Sequence, residues 1–202
     1  MNEIEFIVRQ IDAEQRRLEE MLTACSAALR EASTKASLGS GMRLQAAGGR
    51  DAPDEPYLAC ADYFVHTARR AVARDRAHCE ALAAIVPPDD RYGQELLDKL
   101  RRSVQSGQEA LAALELALNE RRAGRLSPDD FLARCARCVQ GLEAMCRERP
   151  AGLYERLQRH YTVADWRRTS LVDADSILAE RELHARALAR LPSHLRPAGG
   201  AR

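Results

Sequence analysis

The chain has 202 residues, of which 30% are charged, and its formal net charge at pH 7 is only +1. Charges so abundant yet so balanced provide neither the basic stripe that nucleic acid requires nor the basic excess that suits an anionic membrane, which excludes both as expected partners. Aromatic residues make up 4%, while Ala, Leu, Arg and Glu dominate; these residues keep their rotamer freedom in helices and disfavour strands, so an all-α fold is expected.

No apolar run approaches the roughly 18 to 20 residues that span a bilayer. Acidic residues interrupt MNEIEFIVRQ where an export signal would need an apolar core, so a cytoplasmic setting is expected. In a reducing compartment the six cysteines are free thiols, metal ligands or redox groups rather than structural disulfides.

The first helix is expected from Asn2 to Glu31, with Ile4, Ile7, Ile11, Leu18, Leu22, Cys25 and Leu29 at three-and-four spacing. From Ala32 to Glu55 the pattern fails, and STKASLGSGMRLQAAGGRDAPDEP reads as a long connection, a flexible crossover or a functional lid. The second helix begins near Pro56, which suits a first helical position, and stops at Pro87-Pro88. Asp89 and Asp90 are N-cap candidates for a third helix, which carries Leu96, Leu97, Leu100, Val104, Leu111, Leu114 and Leu118 and closes at Gly124.

Ser127-Pro128-Asp129-Asp130 combines a hydroxyl cap, a proline at the first position and acids at the positive end of the dipole, which starts a fourth helix that ends before Pro150. Thr162 with Asp165 forms a capping-box pattern for a fifth helix reaching Pro192. The expected organisation is a single domain over 1–191, an antiparallel four-helix bundle with an additional C-terminal helix, and a disordered tail over 192–202.

Three segments carry a family resemblance: IDAEQRRLEEML in the first helix, SVQSGQEALAALELAL in the third, and MCRERPAGLYERLQRHYTVADWRR from the fourth onward. Together they resemble the hemerythrin-like (HHE-type) four-helix bundles, with the Leu153-Tyr154 pair and the segment from Thr162 to Trp166 closest to that pattern. The resemblance implies a bundle that would hold two irons between its helices and bind oxygen. It also implies where the ligands would stand, and those positions are filled by Gln15, Arg74, His78, Gln108, Met145 and Arg149. A glutamine amide is a poor substitute for imidazole and arginine is a fixed cation, so the resemblance implies the family's shape with a degenerate metal site.

Cys135-Ala-Arg-Cys138 is a C-x-x-C inside a helix, not at the strand-to-helix junction of a thioredoxin-like site. Counting along antiparallel helices puts Cys25, Cys60, Cys135 and Cys138 in one half of the molecule, and Cys79 with Cys146 towards the other. Such thiols either fill a core as small apolar residues or form a zinc or iron site or a redox pair, with His66 and His78 as further ligand candidates. Glu14, Asp75, His78 and Glu143 fall near mid-helix level; they form either a residual carboxylate–histidine site or ordinary pairs with arginines. His160 and His184 lie in arginine-rich surroundings and are expected on the surface.

No phosphate loop, dinucleotide glycine motif, nucleophile elbow or H-E-x-x-H occurs, and GSG in the long connection reads as flexibility. The expected function is a non-enzymatic binding or regulatory bundle without cofactor, its partner another protein or a second copy joined through Leu171, Ile177, Leu178, Leu188 and Leu191. The alternative is a cysteine-based metal-binding or thiol redox sensor, and the third reading is a surviving di-iron oxygen binder.

Overall fold

The computed structural model describes residues 2–38 and 54–196, with side chains at 2–34 and 54–196. Every regular element among them is helical: α1 (Glu3–Leu38), α2 (Glu55–Ile85), α3 (Arg91–Arg122), α4 (Pro128–Glu148), α5 (Leu153–Gln158), α6 (Val163–Ser170) and α7 (Ala174–Arg190), then a 3-10 turn over Ser193–Leu195. No described helix is long and apolar enough to cross a membrane.

The helix starts follow local chemistry. Asp90 accepts from the Gly93 N–H at the start of α3, and Ser127 accepts from Asp130 at the start of α4, whose first turn also holds Pro128. Thr162 and Asp165 complete the capping box of α6, each side chain accepting from the other's backbone N–H.

Three boundaries differ from the sequence reading. The first helix continues past Glu31 to Leu38, because EASTKASL contains no breaker and Gly39 is the first glycine it meets. The remainder of the long connection, 39–53, lies outside the described residues. The single fifth helix is in fact two: Leu171 turns left-handed at φ 54°, and Asp173 caps a new helix by accepting from the Ser176 N–H. Before them lies the short α5, entered through Gly152 at φ 77°, a conformation that glycine adopts without a Cβ penalty.

In the tertiary packing α3 lies along α4 and α2, α1 against α4 and α2, and α7 along α2, with α6 against the first part of α1. The Tyr57 hydroxyl, in the first turn of α2, donates to the Ala28 carbonyl at 3.0 Å, so the start of α2 lies beside the later part of α1.

The apolar interior forms two clusters. One gathers Leu18, Met21, Tyr63, Phe64, Phe131 and Leu142 with Leu188 of α7 and Leu191 just past its end. The other gathers Ile7, Ile11, Leu82, Leu100, Leu157 and Trp166. Each fully buried Leu or Phe here contributes roughly 1.5–3 kcal/mol. Between the clusters, along α1, α2 and the end of α4, the inward positions are polar: Glu14, Arg74, Asp75, His78 and Arg149. That polar layer is the most unusual feature of the interior.

Candidate functional site

Glu14 stands on the apolar face of α1 between Ile11 and Leu18 and is only 3% exposed. Its carboxylate accepts from Arg70 Nη2 at 2.5 Å and from Arg74 Nη2 at 3.2 Å. Both arginines belong to one face of α2, a turn apart, so they clasp a single acid from two levels. Their other nitrogens reach backbone carbonyls: Arg70 donates to Ser176 at 2.8 Å and Arg74 to Ser170 at 3.5 Å, which ties α6 and α7 to the same charge cluster.

Arg149, just past the end of α4, completes the layer. It donates to Asp75 Oδ2 through Nε at 3.0 Å and Nη2 at 2.5 Å, and to Gln15 Oε1 through Nη1 at 2.5 Å. Burial alone would lower the Arg149 pKa, yet the Asp75 carboxylate holds it above its ordinary value.

His78 is wholly buried among three aromatic rings, with centroids 6.1 Å from Tyr154, 5.8 Å from Tyr161 and 5.9 Å from Trp166. Its Nδ1 is 3.2 Å from the Tyr161 hydroxyl. Burial, reinforced by Arg74 and Arg149, drives its pKa down to about 3, so the imidazole stays neutral. Asp75 Oδ1, His78 Nε2, Tyr154 Oη and Trp166 Nε1 are buried without a hydrogen-bonding partner. On the outer side of the layer a cleft of about 430 Å³ opens between α1 and α5, lined by Asp12, Gln15, Arg149, Tyr154 and Glu155.

A second buried acid holds α7. Glu180, 1% exposed, accepts from Arg17 Nε at 3.0 Å and Nη2 at 2.7 Å, and from the Tyr63 hydroxyl at 3.2 Å. Burial and then Glu180 push the Tyr63 phenol well above its ordinary pKa. His184 is half-buried with its ring 5.3 Å from Tyr63, a correction to its expected surface position, and burial lowers its pKa. His160 is exposed.

The positions implied as ligand sites do not converge as one set. Gln15, Arg74, His78 and Arg149 share the polar layer. Gln108 is half-buried at the α2–α3 edge with its amide against the Arg76 guanidinium, and Met145 packs beside Gly107 with its carbonyl accepting from Ser103 Oγ at 2.9 Å. This donor set does not fit a di-iron centre, since two fixed cations stand in it and both carboxylates are already committed to them. Glu143 sits apart in a surface groove with Glu19 and Cys146. Among the described residues no three or more His, Cys, Asp or Glu side chains are arranged to hold a metal ion.

All six cysteines are free. Cys25, Cys60, Cys135 and Cys138 are buried in the first apolar cluster, while Cys79 and Cys146 are half-buried against different clusters. The neighbouring Cys60 thiol, then burial, raises the Cys25 pKa, with Cys135 adding a further repulsive contribution. Burial and then Cys138 push up Cys135, and burial takes Cys146 to about 12. Cys138 instead lines a groove of about 490 Å³ between α3 and α4 with Ala110 and Gly141. His66 is half-buried, with Nε2 lacking a hydrogen-bonding partner.

Arg70, Glu180 and Tyr161 were not singled out from the sequence. Arg70 carries a visible signal, one turn before Arg74 on the same face; Glu180 and Tyr161 carry none, because their partners come from other elements. The chain matches no protein-family model, and searches of curated proteins and of solved structures give no match.

Proposed function

We propose that the chain is a hemerythrin-like antiparallel four-helix bundle, with α5, α6 and α7 added to it, that works by binding a partner and not by metal-borne oxygen chemistry. One observation carries this reading: Arg74 and Arg149, at positions where the resemblance implies ligands, neutralise Glu14 and Asp75 in buried ion pairs. A metal layer between helices holds several carboxylates together by cancelling their charge. Here guanidinium groups cancel it, so the helices are joined at the same level without an ion.

Among the described residues the polar-layer acids Glu14 and Asp75 are paired with arginines and the buried histidine is neutral, which supports a binding role. The partner in this reading is another protein or a second copy. On α7 and the residues flanking it, Leu188 and Leu191 are buried in the chain's own core, while Leu178 is 58% and Leu171 39% exposed, leaving those two for a partner.

Elemental analysis and a visible spectrum on anaerobically purified, chelator-free protein test the proposal. The expected protein is colourless, fully helical and free of stoichiometric metal; near-stoichiometric iron with charge-transfer bands would overturn it. Light scattering on a size-exclusion column separates a second copy from a different partner, since only self-association raises the mass with concentration.

A further inference from the structure

The register of α1 against α2 is fixed at two separate places. The Tyr57 hydroxyl bonds the Ala28 carbonyl near one end, and Glu14 sits between Arg70 and Arg74 near the other. Carrying that antiparallel register one turn inward from Ala28 and Tyr57 sets Cys25 opposite Cys60, and the Cys60 thiol is near enough to be the main cause that raises the Cys25 pKa. Both side chains are sealed in the first apolar cluster, at 2% and 1% exposure.

We propose that Cys25 and Cys60 are a disulfide-forming pair, joined when a hydroperoxide oxidises the protein, and that Cys135-Ala-Arg-Cys138 is not. One sulfur attacks the peroxide O–O bond, becoming a sulfenic acid while one water, or an alcohol from an organic peroxide, departs. The second sulfur then attacks the first and displaces hydroxide, which leaves as water with the second thiol proton. Two thiols lose two electrons to the peroxide, and the S–S bond replaces two S–H bonds. The bond staples the middle of α1 to the second turn of α2.

The helical C-x-x-C is the poorer pair for a geometric reason. In an unbroken helix, side chains three apart have Cβ atoms about 5–6 Å apart, whereas a disulfide needs about 3.5–4.5 Å. Cys135 and Cys138 lie within the continuous α4, so joining them would break that helix. They also face different surroundings, Cys135 lying near Cys60 and Cys138 against the α3–α4 groove. The Cys60 neighbour and burial keep the Cys25 thiolate scarce, so the bond forms slowly; the same burial shields it afterwards from reductants. The inference is independent of the binding reading, because metal content does not bear on it.

The test is mass spectrometry on the full chain after hydrogen peroxide under native conditions, alkylation in denaturant and trypsin digestion. Trypsin places Cys25 on 18–30, Cys60 on 51–69, Cys79 on 77–91 and Cys135 on 135–137, so a Cys25–Cys60 link is unique in mass; Cys138 and Cys146 share 138–147 and are told apart by fragmentation. Six alkylatable thiols should fall to four, with 18–30 joined to 51–69 and the link reversed by dithiothreitol. Cys25→Ala, with helicity checked by circular dichroism, should yield no link. A dominant link within the C-x-x-C or from Cys135 to either partner would overturn the proposal, as would six intact thiols or over-oxidised cysteines without any linked peptide.

Discussion

Replacing Arg149 with Met is the sharpest perturbation of the polar layer. Methionine matches the length of the arginine stem but removes the cation from Asp75, whose side chain is 1% exposed against 8% for Arg149. Asp75 Oδ2 loses both its hydrogen bonds, and Oδ1 already has no partner, so the carboxylate is stranded in the interior. Breaking a buried pair in this one-sided way costs about 3–5 kcal/mol. Against a total stability on the order of 5–15 kcal/mol, that is a large fraction. Urea unfolding followed by far-UV circular dichroism measures it as a lower midpoint at unchanged slope. Asp75→Leu in the Arg149→Met background removes the stranded charge, and the double variant should recover to within about 1 kcal/mol of the parent. An Arg149→Met protein within about 0.5 kcal/mol of the parent would mean that Asp75 reaches water, and the interior layer would no longer be a charge-neutralised one.

Acid should destabilise the protein through His78. Its folded pKa, about 3, lies below the ordinary 6.5, so the unfolded chain takes up the proton first and stability falls as pH drops from 6.5 towards 3. Between pH 8 and pH 5 the loss is about 2 kcal/mol, with His184 adding in the same direction. His78→Gln should flatten this part of the pH profile measured by urea midpoints; an equally steep profile would place the titration elsewhere. Glu180→Gln keeps an acceptor for Tyr63 but removes the charge that Arg17 meets in three hydrogen bonds. It should cost about 1–3 kcal/mol, and hydrogen exchange should quicken over α7 before the other helices. Unchanged exchange in α7 would show that Leu188 and Leu191 alone hold it.

The sequence by itself determined the features whose physics is local. Asp90, Ser127 and the Thr162–Asp165 box cap helices because each side chain reaches an N–H three residues away, and the three-and-four spacing of Ile7, Ile11, Leu18 and Leu22 selects the buried face of α1. The break at Leu171 was not legible, since a leucine in a left-handed conformation is set by how α6 and α7 pack and not by its own preference. Glu14, Asp75 and His78 could be picked out as polar residues near apolar stripes, but not how they would be satisfied. Asp75 meets an arginine from the far end of α4, and Glu14 meets two from α2. Only the tertiary structure decided that these charges are buried together, because removing an acid from water becomes tolerable only when a cation from another helix arrives at the same depth. The thiols follow the same division: their common half was countable from the sequence, and their pairing was fixed by the α1–α2 register, which brings Cys25 to Cys60.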